Sequence, residues 1–150
     1  MNGNGRFSIK KMYKSEGERK IAALLDRLDI KYNYEPGILV NDGGYQRIWY
    51  PDFKLPQYSV FIEYLGIEND LQYDERTKHK LDTYRKMGID VIPIYPSTLQ
   101  GNYKRYIVGE IHRIISNRLS DLESKIYHHY LKSSVNSPSK FKSYSFQRLW

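Results

Sequence analysis

Two carboxylates interrupt the most apolar stretches of this 150-residue chain. Asp52 lies in Trp49-Tyr50-Pro51-Asp52-Phe53, and Glu63 lies in Val60-Phe61-Ile62-Glu63-Tyr64-Leu65. A buried carboxylate without a partner is costly, so acids in such surroundings ask for an explanation. The two are 11 residues apart, across the short connection Leu55-Pro56-Gln57-Tyr58. If the flanking segments pair as antiparallel strands, both side chains face one side at neighbouring positions. Carboxylates that close repel each other unless a cation or a proton lies between them. The chain has no cysteine, which excludes thiolate zinc sites, cysteine nucleophiles and a disulfide scaffold. Oxygen donors with room for water suit a hard cation such as Mg²⁺. For either acid alone, the competing reading is an ordinary edge-of-sheet ion pair with Lys or Arg.

The elements that would position these acids follow from pattern. Ser15 and Glu18 form a capping box, and Ile21, Leu24, Leu25 and Leu28 follow at helical spacing, so a helix is expected from Ser15 to about Asp29. Residues 31–40 and 45–55 read as two strands joined through Asn41-Asp42-Gly43-Gly44, a strong hairpin signal. Residues 59–65, almost wholly apolar, read as a central strand. A second helix over 71–87 buries Thr77, Leu81 and Tyr84 and closes at Gly88. Residues 90–96 form a fourth strand, in which Pro93 removes a ladder donor and so indicates an edge or a local irregularity. A long helix over 103–131 carries Val108, Ile111, Ile115, Leu119, Leu122, Ile126 and Tyr130 on one stripe, with a second capping box at Ser120 and Glu123 that could divide it. A helix between the third and fourth strands makes a parallel crossover, whereas the hairpin is antiparallel. The expected fold is therefore α/β, a mixed β-sheet flanked by helices in the order α-β-β-β-α-β-α. Residues 1–131 are read as one domain, with a core at 15–96, and 132–150 as a basic, aromatic tail that is a candidate for disorder.

Charge distribution indicates a class of partner. The chain carries a net charge of +7, and residues 101–150 hold nine Lys/Arg against three Asp/Glu while the first 100 are nearly balanced. Fifteen tyrosines, many beside Lys or Arg, add groups able to stack on bases or bond phosphates. A near-neutral body with a basic C-terminal third is the footprint of a nucleic-acid binder. The bland alternative is a solvated surface with tyrosines in half-buried sheet positions. His79, His112, His128 and His129 lack the spacing of a zinc triad, and there is no Gly-rich phosphate loop and no Gly-x-Ser-x-Gly elbow. No apolar run approaches the ~20 residues that span a bilayer, and no signal-peptide pattern opens the chain. A cytoplasmic (intracellular) protein with no membrane partner is expected.

Pro51-Asp52, followed by Glu63-Tyr64-Leu65, resembles the motif of the PD-(D/E)XK nuclease superfamily, whose fold is the restriction-endonuclease-like core. The match covers residues 15–96, and the element order above agrees with that core. The resemblance implies Mg²⁺-dependent hydrolysis of DNA phosphodiesters, with Mn²⁺ able to substitute. It also implies a metal held by Asp52, Glu63, the Tyr64 backbone carbonyl and a glutamate of the first helix. Glu18 lies about 20° from Leu25 on the helical wheel, at the margin of the apolar stripe, and is the better candidate than Glu16; its capping role competes.

The family's lysine, two residues after the glutamate, is Leu65 here. In some members that lysine moves to the following helix, and Lys80-Leu81-Asp82-Thr83-Tyr84 resembles the stretch in which it does so. Lys80 lies about 60° from the centre of the buried stripe and Lys78 about 100°, so Lys80 is expected to reach the acids. Catalytic roles accordingly fall to Asp52, Glu63, Lys80 and Glu18, and DNA contacts to Lys78, Lys104, Arg105, Lys140 and Lys142. The apolar stripe of the long helix, together with the two active sites needed to cut a duplex on both strands, indicates a homodimer. The alternative function is a catalytically inactive DNA-binding or assembly module that keeps the nuclease fold.

Overall fold

The computed structural model describes residues 13–67 and 70–135. Helix α1 spans Glu16–Arg27, with the Ser15 hydroxyl accepting the Glu18 N–H, and it buries Ile21, Leu24 and Leu25 as the 3.6-residue period requires. Asp29, at φ 52°, turns the chain out of it. The chain continues through β1 (Asn33–Tyr34), β2 (Ile38–Asp42), β3 (Tyr45–Trp49), β4 (Phe53–Leu55) and β5 (Val60–Tyr64). Helix α2 (Leu71–Lys86), strand β6 (Val91–Ile94), a short α3 (Pro96–Gln100) and α4 (Tyr103–Val135) complete the order. The result is an α/β arrangement with a mixed sheet β1-β4-β5-β6 flanked by helices, in which β4 and β5 pair antiparallel and β5 and β6 pair parallel.

The two strands expected over 31–40 and 45–55 are each broken in the middle, giving five strands before α2 instead of three. The cause is two prolines. Asn33↔Lys54, Tyr34↔Phe53 and Ile38↔Trp49 belong to one continuous antiparallel register, which brings Pro36 opposite Pro51. Neither has an N–H, so the ladder fails there, and Glu35 takes φ 46° at the same point. Beyond the break, β2 and β3 form a separate two-stranded sheet. Its turn is the expected one, with Gly43 and Gly44 at positive φ between the paired Asp42 and Tyr45.

Strand β5 is buried along Val60, Phe61, Ile62 and Glu63, as its apolar sequence implies. Strand β6 lies at the sheet edge. The Asp90 and Ile94 carbonyls accept from Phe61 and Leu65, so Pro93 faces outward, where its missing donor costs nothing and its carbonyl accepts from the Tyr106 hydroxyl at 3.0 Å. Helix α4 runs unbroken past Ser120 and Glu123 and extends to Val135, beyond the boundary of 131 read from pattern. A capping box serves orphan amides at a helix start, and inside a continuing helix there are none to serve. The described chain divides between His112 and Arg113 into two compact units, a division that falls within the span read as one domain. In the first, Phe53, Leu55, Val60, Ile62, Ile92, Ile94 and Ile107 are fully enclosed.

Candidate metal and nucleic-acid site

The Pro36–Pro51 break ends the outer ladder one residue before β4, at Asp52. The Asp52 carbonyl still accepts the Glu35 N–H at 2.8 Å, which anchors the backbone, while its side chain turns to the neighbouring strand. The β4–β5 register pairs Phe53 with Ile62, and one step further it sets Asp52 opposite Glu63. The two acids thus stand side by side, as expected for an antiparallel hairpin. Asp52 Oδ2 accepts the Tyr64 N–H at 2.6 Å. Because a strand residue directs its N–H and C=O to the same edge, the Tyr64 carbonyl also faces the Asp52 side of β5.

Glu63 is 5% exposed, and its two oxygens have different surroundings. Oε1 receives the Lys80 ammonium, delivered from α2. Oε2 is buried, and among the described residues no donor reaches it with full hydrogen-bond geometry. The Tyr84 hydroxyl, likewise buried, stands beside Glu63: it helps lower the Glu63 carboxyl, and its own acidity is weakened by burial first and then by the Glu63 and Asp52 charges. Lys80 and Tyr84, four residues apart, share one helix face. Lys78 is exposed and lines a different hollow with Asp74, Asp82, Arg85 and Tyr95. Leu65, two residues after the acid and just past the end of β5, is 3% exposed and belongs to the core.

The electrostatics reflect an excess of acid. Burial first, and then the Glu63 charge, push the Asp52 carboxyl up to about 7, against the lowering effect of the Tyr64 N–H. Burial also raises Glu63, offset in part by Lys80. The Glu18 charge raises both acids as well.

Glu18 is 6% exposed. Its carboxylate takes the Ser15 hydroxyl at 2.9 Å, the Lys14 N–H at 3.0 Å and the Tyr34 hydroxyl. It therefore both caps α1 and points inward over the sheet, the two roles that pattern set against each other. Helix α1 can lie this close because Gly17 has no side chain: a β-carbon there would overlap the Tyr64 ring. Among the described residues, no group of three or more His, Asp or Glu is arranged to hold a metal. The pair Asp52 and Glu63 is what the fold brings together.

Of the residues expected to contact DNA, Lys104 and Arg105 are exposed at the start of α4 and line a surface hollow with Asn102, Val108, Gly109 and His112. Lys140 and Lys142 lie outside the described residues. Pattern misses an open groove of about 440 Å³ lined by Ile48, Trp49 and Tyr50 from the hairpin and by Arg76, His79 and Lys80 from α2. It adjoins the acid pair through Lys80. Sequence-distant contacts hold the hairpin against α2 and the residue that ends it: His79 Nε2 to Asp42 Oδ1 at 2.7 Å, the Trp49 ring edge-on to Tyr84 and to His79, and the Asn41 N–H on Met87 Sδ.

Compared with family models, curated proteins and solved structures, the chain finds no match. Among the described residues, no helix is long and apolar enough to cross a membrane.

Proposed function

We propose that this chain is a metal-dependent endonuclease that hydrolyses DNA phosphodiester bonds, a PD-(D/E)XK nuclease with the restriction-endonuclease-like core. One observation carries the reading. Asp52 and Glu63, acids of adjacent antiparallel strands, stand opposite each other, and the following helix brings Lys80, not Lys78, onto Glu63. The residues suit a hard cation: Glu63 Oε2 is a buried oxygen that no described donor engages with full hydrogen-bond geometry, and Asp52 is raised by burial and by its neighbour's charge, which a cation offsets. Asp52 and Glu63 would hold Mg²⁺ or Mn²⁺, with the Tyr64 carbonyl and Glu18 as further donors. Bound there, the metal would supply Lewis acidity toward the scissile phosphate and lower the pKa of a water.

The chain's own groups do the rest. Lys80 carries the positive charge that stabilises charge developing on the phosphoryl oxygens. Tyr64 N–H fixes the Asp52 carboxylate at Oδ2. Exposed Lys78, Lys104 and Arg105 supply sequence-independent attraction to the phosphate backbone. A second copy of the chain, joined along α4, completes a homodimer.

The alternative, an inactive DNA-binding module of the same fold, is favoured by the engagement of both Glu18 oxygens and by Leu65 in the core. Incubation with supercoiled plasmid separates the two readings. Nicking in Mg²⁺ or Mn²⁺, absent in EDTA and abolished in Glu63→Gln, is the expected result. An intact plasmid under every metal condition would favour the inactive module.

A further inference from the structure

Helix α4 carries a glycine that the fold does not explain. Gly109 lies inside the helix with a right-handed backbone, where glycine costs stability relative to alanine. Two structural reasons justify such a residue, a left-handed conformation or close packing against a neighbour, and neither holds here. Gly109 is exposed and falls nearly opposite the buried Ile107, Ile111 and Ile114 on the helical wheel. Among the described residues, a β-carbon there would meet no atom within 4 Å, whereas at Gly17 it would overlap the Tyr64 ring.

What surrounds Gly109 is positive charge. It lines an open hollow of about 590 Å³ with Asn102, Lys104, Arg105, Val108 and His112. Arg105, Val108, Gly109 and His112 share one helix face at i, i+3, i+4 and i+7, so bare backbone lies between an arginine and a histidine. Lys104, Arg105 and His112 are exposed and, among the described residues, none of them is in an ion pair. The Asn102 side-chain oxygen accepts the Arg105 backbone N–H at 3.1 Å, so the guanidinium itself is left for a partner. Glu110, the one acid between 101 and 112, does not line the hollow.

The missing side chain allows an anion to approach the helix backbone closely. The terminal segments 1–12 and 136–150 contain no Asp or Glu, so neither offers the complementary side-chain charge. A second copy set on this face by a two-fold axis would place cations on cations. A sugar-phosphate strand fits: it is narrow, charged at every residue, and has an apolar sugar edge for the half-exposed Val108. We infer that Gly109 is a docking point for the DNA backbone, with one phosphate seated over the bare helix between Arg105 and His112 and with Lys104 beside it. Such a contact fixes register without reading sequence. The inference deepens the nuclease reading and rests on it only for the polymer being DNA.

The experiment uses full-length protein, a labelled duplex of mixed sequence and EDTA, so that binding is read without cleavage. Gly109→Ala should raise the melting temperature by roughly 2–4 °C, the ordinary helical gain, and Gly109→Leu should not lower it. Affinity for the duplex should nevertheless fall in both, by about tenfold for the leucine, the scale of losing one contact of about 1.4 kcal/mol. The slope of log affinity against log salt should drop by about 0.9, one phosphate. In an Arg105→Ala background Gly109→Leu should cost little more, because the two residues serve the same phosphate. Wild-type affinity in Gly109→Leu would overturn the inference, as would a lowered melting temperature in both variants, which would mean that the chain itself fills the hollow. Altered sedimentation with unchanged DNA affinity would also overturn it, giving the hollow to a contact between copies. The expected binding pattern in a protein that leaves plasmid intact in Mg²⁺ and Mn²⁺ would keep the docking point and remove the nuclease.

Discussion

A buried acid with a raised pKa destabilises the folded chain until something neutralises it, and Asp52 makes that cost measurable. Its ordinary value is 3.8, and in the fold it is pushed up to about 7. Below about pH 4, folded and unfolded chains both hold the proton and no penalty exists. As the pH rises from about 4 to about 7, the unfolded chain releases its proton first, and the folded state loses relative stability; above that window the loss is constant. The melting temperature of wild type in EDTA is therefore expected to fall across this window relative to Asp52→Asn, which lacks the titration. Mg²⁺ should reverse the fall above about pH 7, where the carboxylate is free, and do little near pH 5. A constant difference between the two proteins from pH 4 to 7 would show that Asp52 is not raised. The second residue-level prediction contrasts two lysines. Lys80→Ala should lower cleavage by about 10²-fold, the scale of losing a positioned charge, and Lys78→Ala should change it little; equal small losses would exclude a helix lysine from the chemistry. Asp52, Glu63 and Lys80 are legible in the sequence because each signal is local: an acid in an apolar run, or an angle on a helical wheel. The Tyr34–Glu18 bond and the groove between the hairpin and α2 are not, because both depend on where the chain bends at Glu35. Tyr84 is legible as a buried ring, but its hydroxyl beside Glu63 follows only once α2 is packed on β5.

At the scale of elements, α1 approaches the site through Gly17, whose missing side chain admits the Tyr64 ring. Gly→Ala inside a helix ordinarily stabilises by roughly 0.5–1 kcal/mol. At Gly17 the added carbon overlaps the ring, so Gly17→Ala is expected to destabilise by about 1–3 kcal/mol, as overpacking does. Urea titration gives the sign. In a Tyr64→Ala background the same substitution should recover the ordinary helical gain; stabilisation by Gly17→Ala in the wild-type background would mean that α1 and β5 are not closely packed there. The helices and the central β5 are readable from period and caps alone, since capping and amphipathicity are properties of neighbours in sequence. The division of the hairpin into two sheets is not, although both prolines are plainly visible. What breaks the ladder is their opposition across it, a consequence of the register set by the Gly43–Gly44 turn seven residues from Pro36 and from Pro51. The same break frees Asp52 to reach Tyr64 N–H, so the feature that pattern misses is one that shapes the site.

At the scale of the whole molecule, α4 poses a problem of its own. Between Ile115 and Ser133 every residue is exposed, including Leu119, Leu122, Ile126 and Tyr130. Helices in water are held mainly by packing of an apolar face, and within this stretch no described residue buries one. The stripe Val108, Ile111, Ile115, Leu119, Leu122, Ile126, Tyr130 advances by three, four and four residues, an eleven-residue repeat. Such a repeat stays on one side of a nearly straight or slightly right-handed helix over several turns; Ile111 is buried within the chain, and the exposed part from Ile115 to Tyr130 forms a continuous seam. A second copy presents the same seam, and a two-fold axis matches a surface to itself. The proposed homodimer therefore pairs α4 with α4. Sedimentation equilibrium at micromolar concentration should give about twice 17.9 kDa. A charge at the middle of the seam, Leu119→Glu with Leu122→Glu, should convert it to monomer and lower helical content by circular dichroism, since each helix then loses its cover. The substituted side chains are exposed within the single chain, so the sheet and its acids are left intact. A wild-type protein that sediments only at 17.9 kDa, with α4 fully helical, would show that this helix stands without a partner.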